Sequence, residues 1–167
     1  MCTSHLQNAS EKCYRGKVQG KIANPKRRSG CPLNASVEML GDRWSLLIIR
    51  DMMLLGRRTF KEFLGSYERP ASNILADRLR RLEAYGIIRA EQDPSDGRKL
   101  IYLLTQKGMD LAPVLTEMVL WAGKHEKTEN RPLIRLMQKD KQKFLEQIRQ
   151  RWTQTSPAME NKRTAAI

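Results

Sequence analysis

The fold is decided by residues 55–107, LGRRTFKEFLGSYERPASNILADRLRRLEAYGIIRAEQDPSDGRKLIYLLTQK. The pattern predicts a short helix, a turn, a longer helix, and two strands joined by a polar loop. The longer helix carries apolar residues on one face and arginines with small polar residues on the other. This order is typical of a winged helix-turn-helix, and it favours a protein that binds duplex DNA over one that catalyses a reaction.

The longer helix is predicted over 72–85, with Gly86 as its stop. Three leucines at helical spacing predict its buried face: Leu75, Leu79 and Leu82. Its candidate DNA contacts are Ser72, Asn73, Asp77, Arg80 and Arg81. Asn suits adenine and Arg suits guanine or phosphate, whereas an Asp either accepts from a cytosine amine or orients a neighbouring arginine. The alternative is a plain surface helix with solvated charges.

Two further basic clusters flank this helix. The first surrounds the predicted N-terminus of the short helix, where Thr59 and Glu62 have capping-box spacing, and its candidate phosphate contacts are Arg57, Arg58, Thr59 and Lys61. The second is Arg98 with Lys99 in the loop between the strands, which would reach the minor groove or its flanking phosphates. The alternative for each cluster, taken singly, is a charged surface that only aids solubility.

The remaining elements are predicted from caps and apolar spacing. A first helix follows Pro32 and ends at Gly41, with Leu33, Val37 and Leu40 on one face. A second helix begins near Asp42 and ends at Gly56; its predicted core residues are Trp44, Leu47, Ile48, Met52 and Leu55. The short helix is expected to bury Phe60, Phe63 and Leu64.

Two helical regions are predicted after the strands. Thr105 caps the first, and Pro113 predicts a kink or a break within it. Its apolar stripe is Leu111, Val114, Leu115, Met118 and Trp121. A last helix is predicted over about 132–152.

The charge is unevenly distributed along the 167 residues, which hold 31 Lys and Arg against 18 Asp and Glu, a net charge of +13. Residues 1–30, 31–121 and 122–167 contribute +6, +1 and +6. A strongly basic chain favours polyanionic partners. Because residues 31–121 are nearly neutral overall, the prediction of DNA binding depends on where their clustered arginines lie. No apolar run of about 18 residues indicates a membrane span, and residues 1–10 lack a signal-peptide segment, so we expect a cytoplasmic protein.

The cysteines are Cys2, Cys13 and Cys31. An odd count without Cys-x-x-Cys spacing predicts neither a disulfide framework nor a metal site. Cys2, His5 and Cys13 could bind a metal as a loose cluster, but a flexible tail is the favoured interpretation. Cys31 begins the first helix beside Arg27 and Arg28, where a helix N-terminus and basic neighbours favour a reactive thiolate; the alternative is a small buried apolar residue. No enzyme signature and no cofactor motif is present.

The motifs then identify a resemblance. They are Cys31-Pro32, the segments 41–51, 58–63 and 75–83, Gly86-Ile87-Ile88 and the segment 104–108. Together they resemble the HxlR-type winged helix-turn-helix transcriptional regulators, which are relatives of the MarR type, over about residues 31–123. Two features depart from the pattern: the loop 93–98 looks more like a MarR wing, and the chain continues from Glu126 with an extra basic segment.

The resemblance implies a homodimer that binds a roughly palindromic operator in double-stranded DNA. It places the dimer contacts in about 31–40 and 111–121, and it suggests an oxidant or small-molecule effector sensed through Cys31. The expected fold is mainly α with a small β-hairpin wing and additional C-terminal dimerisation helices. The expected organisation is a disordered basic tail (1–29), a winged helix-turn-helix domain (30–124), a C-terminal helical extension (125–152) and a disordered tail (153–167).

The sequence thus predicts a sequence-specific DNA-binding transcriptional regulator that is not an enzyme, with thiol-based sensing as a hypothesis. The alternative is a winged-helix protein-interaction module without specific DNA readout, whose basic ends bind acidic partners.

Overall fold

The computed structural model describes residues 28–155, and the predictions for 1–27 and 156–167 lie outside them. The elements in chain order are α1 Pro32–Leu40, α2 Arg43–Leu55, α3 Phe60–Leu64, α4 Ser72–Ala84, β1 Ile88–Gln92, β2 Leu100–Leu104, α5 Gln106–Met109, α6 Ala112–His125, α7 Arg131–Lys139 and α8 Lys141–Thr155. The mainly helical fold with one β-hairpin confirms the predicted fold class. No helix within 28–155 is long and apolar enough to cross a membrane.

Local capping sets the boundaries of the helix-turn-helix. The Asp42 carboxylate accepts from the backbone N–H groups of Trp44 and Ser45, at 2.9 and 3.0 Å, and so begins α2. Gly56 ends α2 with φ 66°, and Gly86 follows α4 with the same φ. This left-handed conformation is one that glycine adopts without a steric cost. The predicted starts and stops of α2 and α4 are therefore confirmed.

The hairpin forms the wing, which is β1, β2 and the loop 93–99. The two strands are antiparallel, with Ile88 opposite Leu104. On the other edge of β2, the backbone N–H of Tyr102 donates to the carbonyl oxygen of Arg58 at 2.7 Å, and Thr59 forms an isolated bridge with Ile101. The segment before α3 therefore lies along the wing.

One apolar core joins these elements. Its centre includes Ile49 of α2 and the three leucines predicted on α4, all 0% exposed. Phe63 of α3 is buried, whereas Phe60 and Leu64 are half-buried against the core. The prediction for Leu55 was wrong: it lies in the last turn of α2 and is 60% exposed.

The C-terminal extension (α7 and α8) packs into the same core. Met137 of α7 and two residues of α8, Phe144 and Ile148, belong to the buried cluster. At the α6–α7 contact, a Cβ at Gly123 would lie 2.7 Å from the Ile134 side chain. A glycine in α6 therefore permits the close approach of the two helices.

The helices after the wing differ in part from the prediction. The predicted break near Pro113 is confirmed, because α5 ends at Met109 and α6 begins at Ala112. The prediction of a single helix over 132–152 was wrong, because the segment divides at Asp140 into α7 and α8. The Asp140 carboxylate accepts from the backbone N–H of Lys143 at 2.9 Å, which starts a new helix as an N-cap does. That helix continues to Thr155, so residues 153–155 are helical rather than disordered.

Candidate nucleic-acid interface

The candidate recognition helix is α4. Its buried leucines hold one face on the core, and its N-cap, Ala71, offers no side-chain cap. Ser72 and Asn73 at its N-terminus are exposed, with side chains that take no part in capping. We call the outward side of α4 the reading face; it also carries Asp77, Arg80 and Arg81, all half-buried.

Ion pairs order the arginines of this helix. Asp77 accepts from Arg80 Nη2 at 3.1 Å and lies 3.5 Å from Arg78 Nη1. This pairing is consistent with the predicted role of orienting a neighbouring arginine, and contact with a cytosine amine stays a prediction. Arg78 was not among the predicted site residues. Its Nε lies 3.1 Å from the Asp42 carboxylate, and this ion pair links α4 to the start of α2. The pair does not have the geometry of a hydrogen bond.

A buried carboxylate holds Arg57. Asp51, whose side chain is 3% exposed, accepts from Arg57 Nη1 at 2.9 Å and from Arg50 Nη2 at 2.7 Å. Arg50 also forms two hydrogen bonds with Glu68. The hydrogen bond from Arg50 lowers the pKa of Glu68. Arg57 was predicted to contact phosphate, and the structure places it in this internal network, which no local pattern of residues indicates.

The N-terminus of α3 is closed by its capping box. The backbone N–H groups of Arg58 and Thr59 both donate to the Glu62 carboxylate at 2.8 Å. Burial acts to raise the pKa of Glu62, but these hydrogen bonds outweigh it and lower the pKa. The Thr59 side chain accepts from the Glu62 N–H. The backbone N–H groups of Arg58, Thr59 and Glu62 are therefore paired within the capping box, and the predicted phosphate contacts beside it are the side chains of Arg58 and Lys61.

The wing loop presents its basic residues to solvent. Arg98 Nε lies 3.1 Å from the Asp96 carboxylate, yet the Arg98 side chain is 88% exposed. Lys99 Nζ lies 3.5 Å from the same carboxylate and is 61% exposed. The hydrogen bond from Arg98 lowers the pKa of Asp96. The backbone N–H of Asp93 donates to the carbonyl of Lys99 at 3.0 Å and closes the loop.

Cys31 is exposed and immediately precedes α1 as its N-cap. The alternative prediction of a buried apolar role is therefore wrong. Of its predicted basic neighbours, Arg28 donates its backbone N–H to Glu38 at 3.1 Å, and Arg27 lies outside the described residues. Within 28–155, no group of three His, Cys, Asp or Glu residues could hold a metal ion.

Comparisons with known proteins agree with this geometry. The model of the HxlR-like helix-turn-helix family matches residues 39–130, which is more than half of the chain. The HTH-type transcriptional regulator YodB of Bacillus subtilis (strain 168) is 37% identical over 93 residues, covering 55% of this chain and 82% of YodB.

Two solved structures share the fold. The crystal structure of PA1607 is 34% identical with a TM-score of 0.57, covering 63% of this chain and 72% of PA1607. The redox regulator HypR in its oxidized form is 27% identical with a TM-score of 0.52, covering 59% of this chain and all of HypR. The chain therefore belongs to the HxlR-like helix-turn-helix family, whose members are DNA-binding transcriptional regulators and not enzymes.

Proposed function

We propose that the protein is a sequence-specific transcriptional regulator that binds a palindromic operator as a homodimer. In this proposal the reading face of α4 enters the major groove, and Arg98 and Lys99 contact the minor groove or its phosphates. Arg58 and Lys61 contact the backbone beside α3. The observation that carries the proposal is the orientation of α4: Leu75, Leu79 and Leu82 fix one face in the core, so the polar face points outward beside the wing.

Exposed apolar residues on α1 and α6 support the dimer. They lie on the helices where the resemblance places dimer contacts, and their exposures are Leu33 72%, Val37 56%, Val114 49%, Met118 47% and Trp121 64%. Large apolar side chains in one region of a surface indicate an interaction site. Trp121→Asp with Met118→Glu should therefore shift the mass measured by light scattering from dimer to monomer, while Tyr67→Asp, at an exposed site in the turn between α3 and α4, should not.

Selection of bound duplexes from random DNA tests the DNA proposal directly. A palindromic consensus is expected, because two identical reading faces related by twofold symmetry select two inverted half-sites. Binding should weaken steeply with salt as arginines displace counterions. A pool that shows no enrichment would contradict specific readout and favour the protein-interaction module.

A second part of the proposal assigns redox or electrophile sensing to Cys31. Its exposure at the start of α1 supports this, as does the similarity to HypR, which is named a redox regulator. Diamide, which is reduced as it oxidises two thiols to a disulfide, should join Cys31 to its counterpart in the other subunit of the dimer and release DNA from the native protein, but not from Cys31→Ser. The matched control is Cys2→Ser with Cys13→Ser, which keeps Cys31 and should respond. An equal response from Cys31→Ser would exclude the sensor.

A further inference from the structure

A cavity lies between α2, α6 and the C-terminal extension. Its volume is about 250 Å³, and α2 and α6 supply most of its walls. Met137 of α7 and Ile148 of α8 complete the lining, and both follow the segment that matches the family model, 39–130. The end of α8 is anchored to β2, because the indole Nε1 of Trp152 donates to the carbonyl oxygen of Leu104 at 3.0 Å. The cavity therefore depends on a part of this chain that the family match does not include.

The cavity is enclosed and mainly apolar. Among its lining residues in the described chain, Met118 of α6 alone is exposed, so we place the opening at Met118. An apolar cavity of about 150 Å³ stays dry and binds benzene. A cavity of about 250 Å³ therefore accommodates a molecule of roughly ten non-hydrogen atoms.

The charge that borders the cavity is already balanced. Within the described chain, Arg50 is the only charged residue of the lining. Its guanidinium forms two hydrogen bonds with Asp51 and two with Glu68. A buried ion without a partner is strongly unfavourable, so an anionic ligand would have to displace one of these carboxylates. The cavity therefore favours a neutral ligand.

Thr116 gives the cavity a neutral polar group. This residue is 2% exposed, and its hydroxyl donates to the carbonyl oxygen of Ala112 at 2.9 Å. A hydroxyl oxygen whose hydrogen is donated can still accept a hydrogen bond. A neutral ligand with one N–H or O–H donor therefore matches the lining.

Arg50 connects the cavity to the helix-turn-helix. Its Nη1 and Nη2 atoms donate to the two oxygens of Glu68 at 2.7 and 2.9 Å, and Glu68 lies in the turn between α3 and α4. A molecule in the cavity would pack against the arginine that holds this turn. A ligand shifts a protein between two states only when it binds them with different affinities, and a displacement of Arg50 relative to Glu68 provides such a difference.

We propose that this cavity binds a small, neutral, largely apolar effector with one hydrogen-bond donor, and that its binding changes operator affinity through Arg50 and Glu68. The change in operator affinity rests on the proposed function, whereas the binding site does not. An enclosed cavity with one exposed lining residue suits a small molecule better than a helix of a second copy, which needs an open groove.

Ligand binding is tested without DNA, by thermal unfolding of the full chain. Indole is the neutral probe, and phenylacetate is an anionic probe of similar size. Indole should raise the unfolding temperature by about 3 °C at a tenfold excess over its dissociation constant. Phenylacetate should need a concentration at least about tenfold higher for the same shift, because its carboxylate lacks a partner. Equal shifts with the two probes would overturn the neutral ligand class.

Two alanines provide a matched pair of variants. Ala122 lines the cavity, whereas the exposed Ala84 at the end of α4 does not. Ala122→Leu fills the cavity and should abolish the indole shift, while Ala84→Leu should retain it. A full shift in Ala122→Leu would overturn the site.

The Thr116 hydroxyl gives a second, independent variant. Thr116→Val keeps the shape of the side chain and removes the acceptor, so it should weaken indole binding by about fivefold. If Ala122→Leu does not fold, Thr116→Val decides the matter, and an unchanged indole affinity overturns the site. If indole stabilises Trp121→Asp but not the native protein, a second copy covers the cavity and the inference is overturned. The absence of a shift in both proteins would overturn it as well.

The effector role is tested with the selected duplex by fluorescence anisotropy. Saturating indole should change operator affinity by about fivefold or more, and Glu68→Ala should remove most of this change while it retains indole binding. Bound indole with unchanged operator affinity would overturn the effector role and leave the proposed function intact. If the native protein selects no duplex, the proposed function fails, whereas stabilisation by indole would still support the binding site.

Discussion

Two groups of arginines in this molecule have the same chemistry and different environments. Arg50 and Arg57 surround a carboxylate that is 3% exposed, and their own side chains are 29% and 23% exposed. Arg80 and Arg98 pair with carboxylates that are 44% and 23% exposed, and are themselves 38% and 88% exposed. The inner group is held by a buried partner, while the outer group has partners that water already solvates.

The difference decides which arginines are available to DNA. An exposed ion pair contributes about 0 to 1 kcal/mol, so Arg80 and Arg98 can exchange a carboxylate for a phosphate or a base at little cost. Removal of one partner from a buried ion pair costs several times more, because the remaining charge stays desolvated. The buried Asp51 therefore gives Arg50 and Arg57 a structural role, and it leaves Arg80 and Arg98 as the proposed DNA contacts.

Removal of the outer group should have the largest effect. Arg80→Ala combined with Arg98→Ala should weaken operator binding by about 3 kcal/mol, roughly a hundredfold, since each loses one charged DNA contact. Titration of a labelled operator measures this loss, and urea unfolding should show little change in stability. Unaltered affinity would remove these two residues from the interface.

Loss of the inner carboxylate should mainly affect stability. Asp51→Ala should lower the free energy of unfolding by about 2 to 3 kcal/mol, because Arg50 and Arg57 then lose a buried acceptor. Urea unfolding at a fixed protein concentration measures this change. A substitution without effect would show that the carboxylate does not hold the two arginines, and the comparison between the groups would lose its basis.

The adjacent residues Arg57 and Arg58 offer the sharpest contrast. Arg57→Ala should cost about 1 to 2 kcal/mol of stability through the loss of a charged hydrogen bond. Arg58→Ala should leave stability nearly intact and instead weaken DNA binding with a smaller salt slope. Both variants are measured by urea unfolding and by anisotropy. The reverse outcome would assign the phosphate contact to Arg57.

The capping box of α3 should give the smallest effect. The pKa of Glu62 is lowered from its ordinary value of 4.5, so its contribution to stability is complete above that pH and is lost as the pH falls through the lowered value. Glu62→Gln should cost up to about 1 kcal/mol at pH 7, and the difference from the native protein should shrink in acid. Urea unfolding at pH 7 and pH 3 measures it; a constant difference would contradict the role of the ionised carboxylate.

The sequence predicted what local chemistry determines. Asp42, Thr59, Gly56 and Gly86 act within a few residues of the boundaries they set, so the helix-turn-helix and the wing were placed correctly. Asp140 carried the same kind of signal, because an aspartate within a helical pattern can start a new helix. The apolar spacing continues on both sides of Asp140, so residues 132–152 were predicted as one helix.

Contacts between elements that are distant in the chain could not be predicted from the sequence. The assignment of Arg57 to phosphate was reasonable from its place before α3, but its pairing depends on the burial of Asp51 by the assembled core. The links from Arg78 to Asp42 and from Trp152 to Leu104 also join separate elements, and no periodicity indicates them. The apolar stripe of α6 was predicted, but periodicity shows that a face is apolar and not what covers it, so the exposure of Val114, Met118 and Trp121 came only from the structure.

The hydrogen bond between Trp152 and Leu104 has a consequence for synthesis of the chain. Its two partners are 48 residues apart. At translation rates of about 5 to 20 residues per second, β2 is made seconds before the helix that donates to it. During this interval the Leu104 carbonyl lacks its Trp152 donor, so the nascent wing offers an unpaired strand acceptor to other chains. Slower elongation over this stretch would lengthen that exposure and should lower the yield of folded protein.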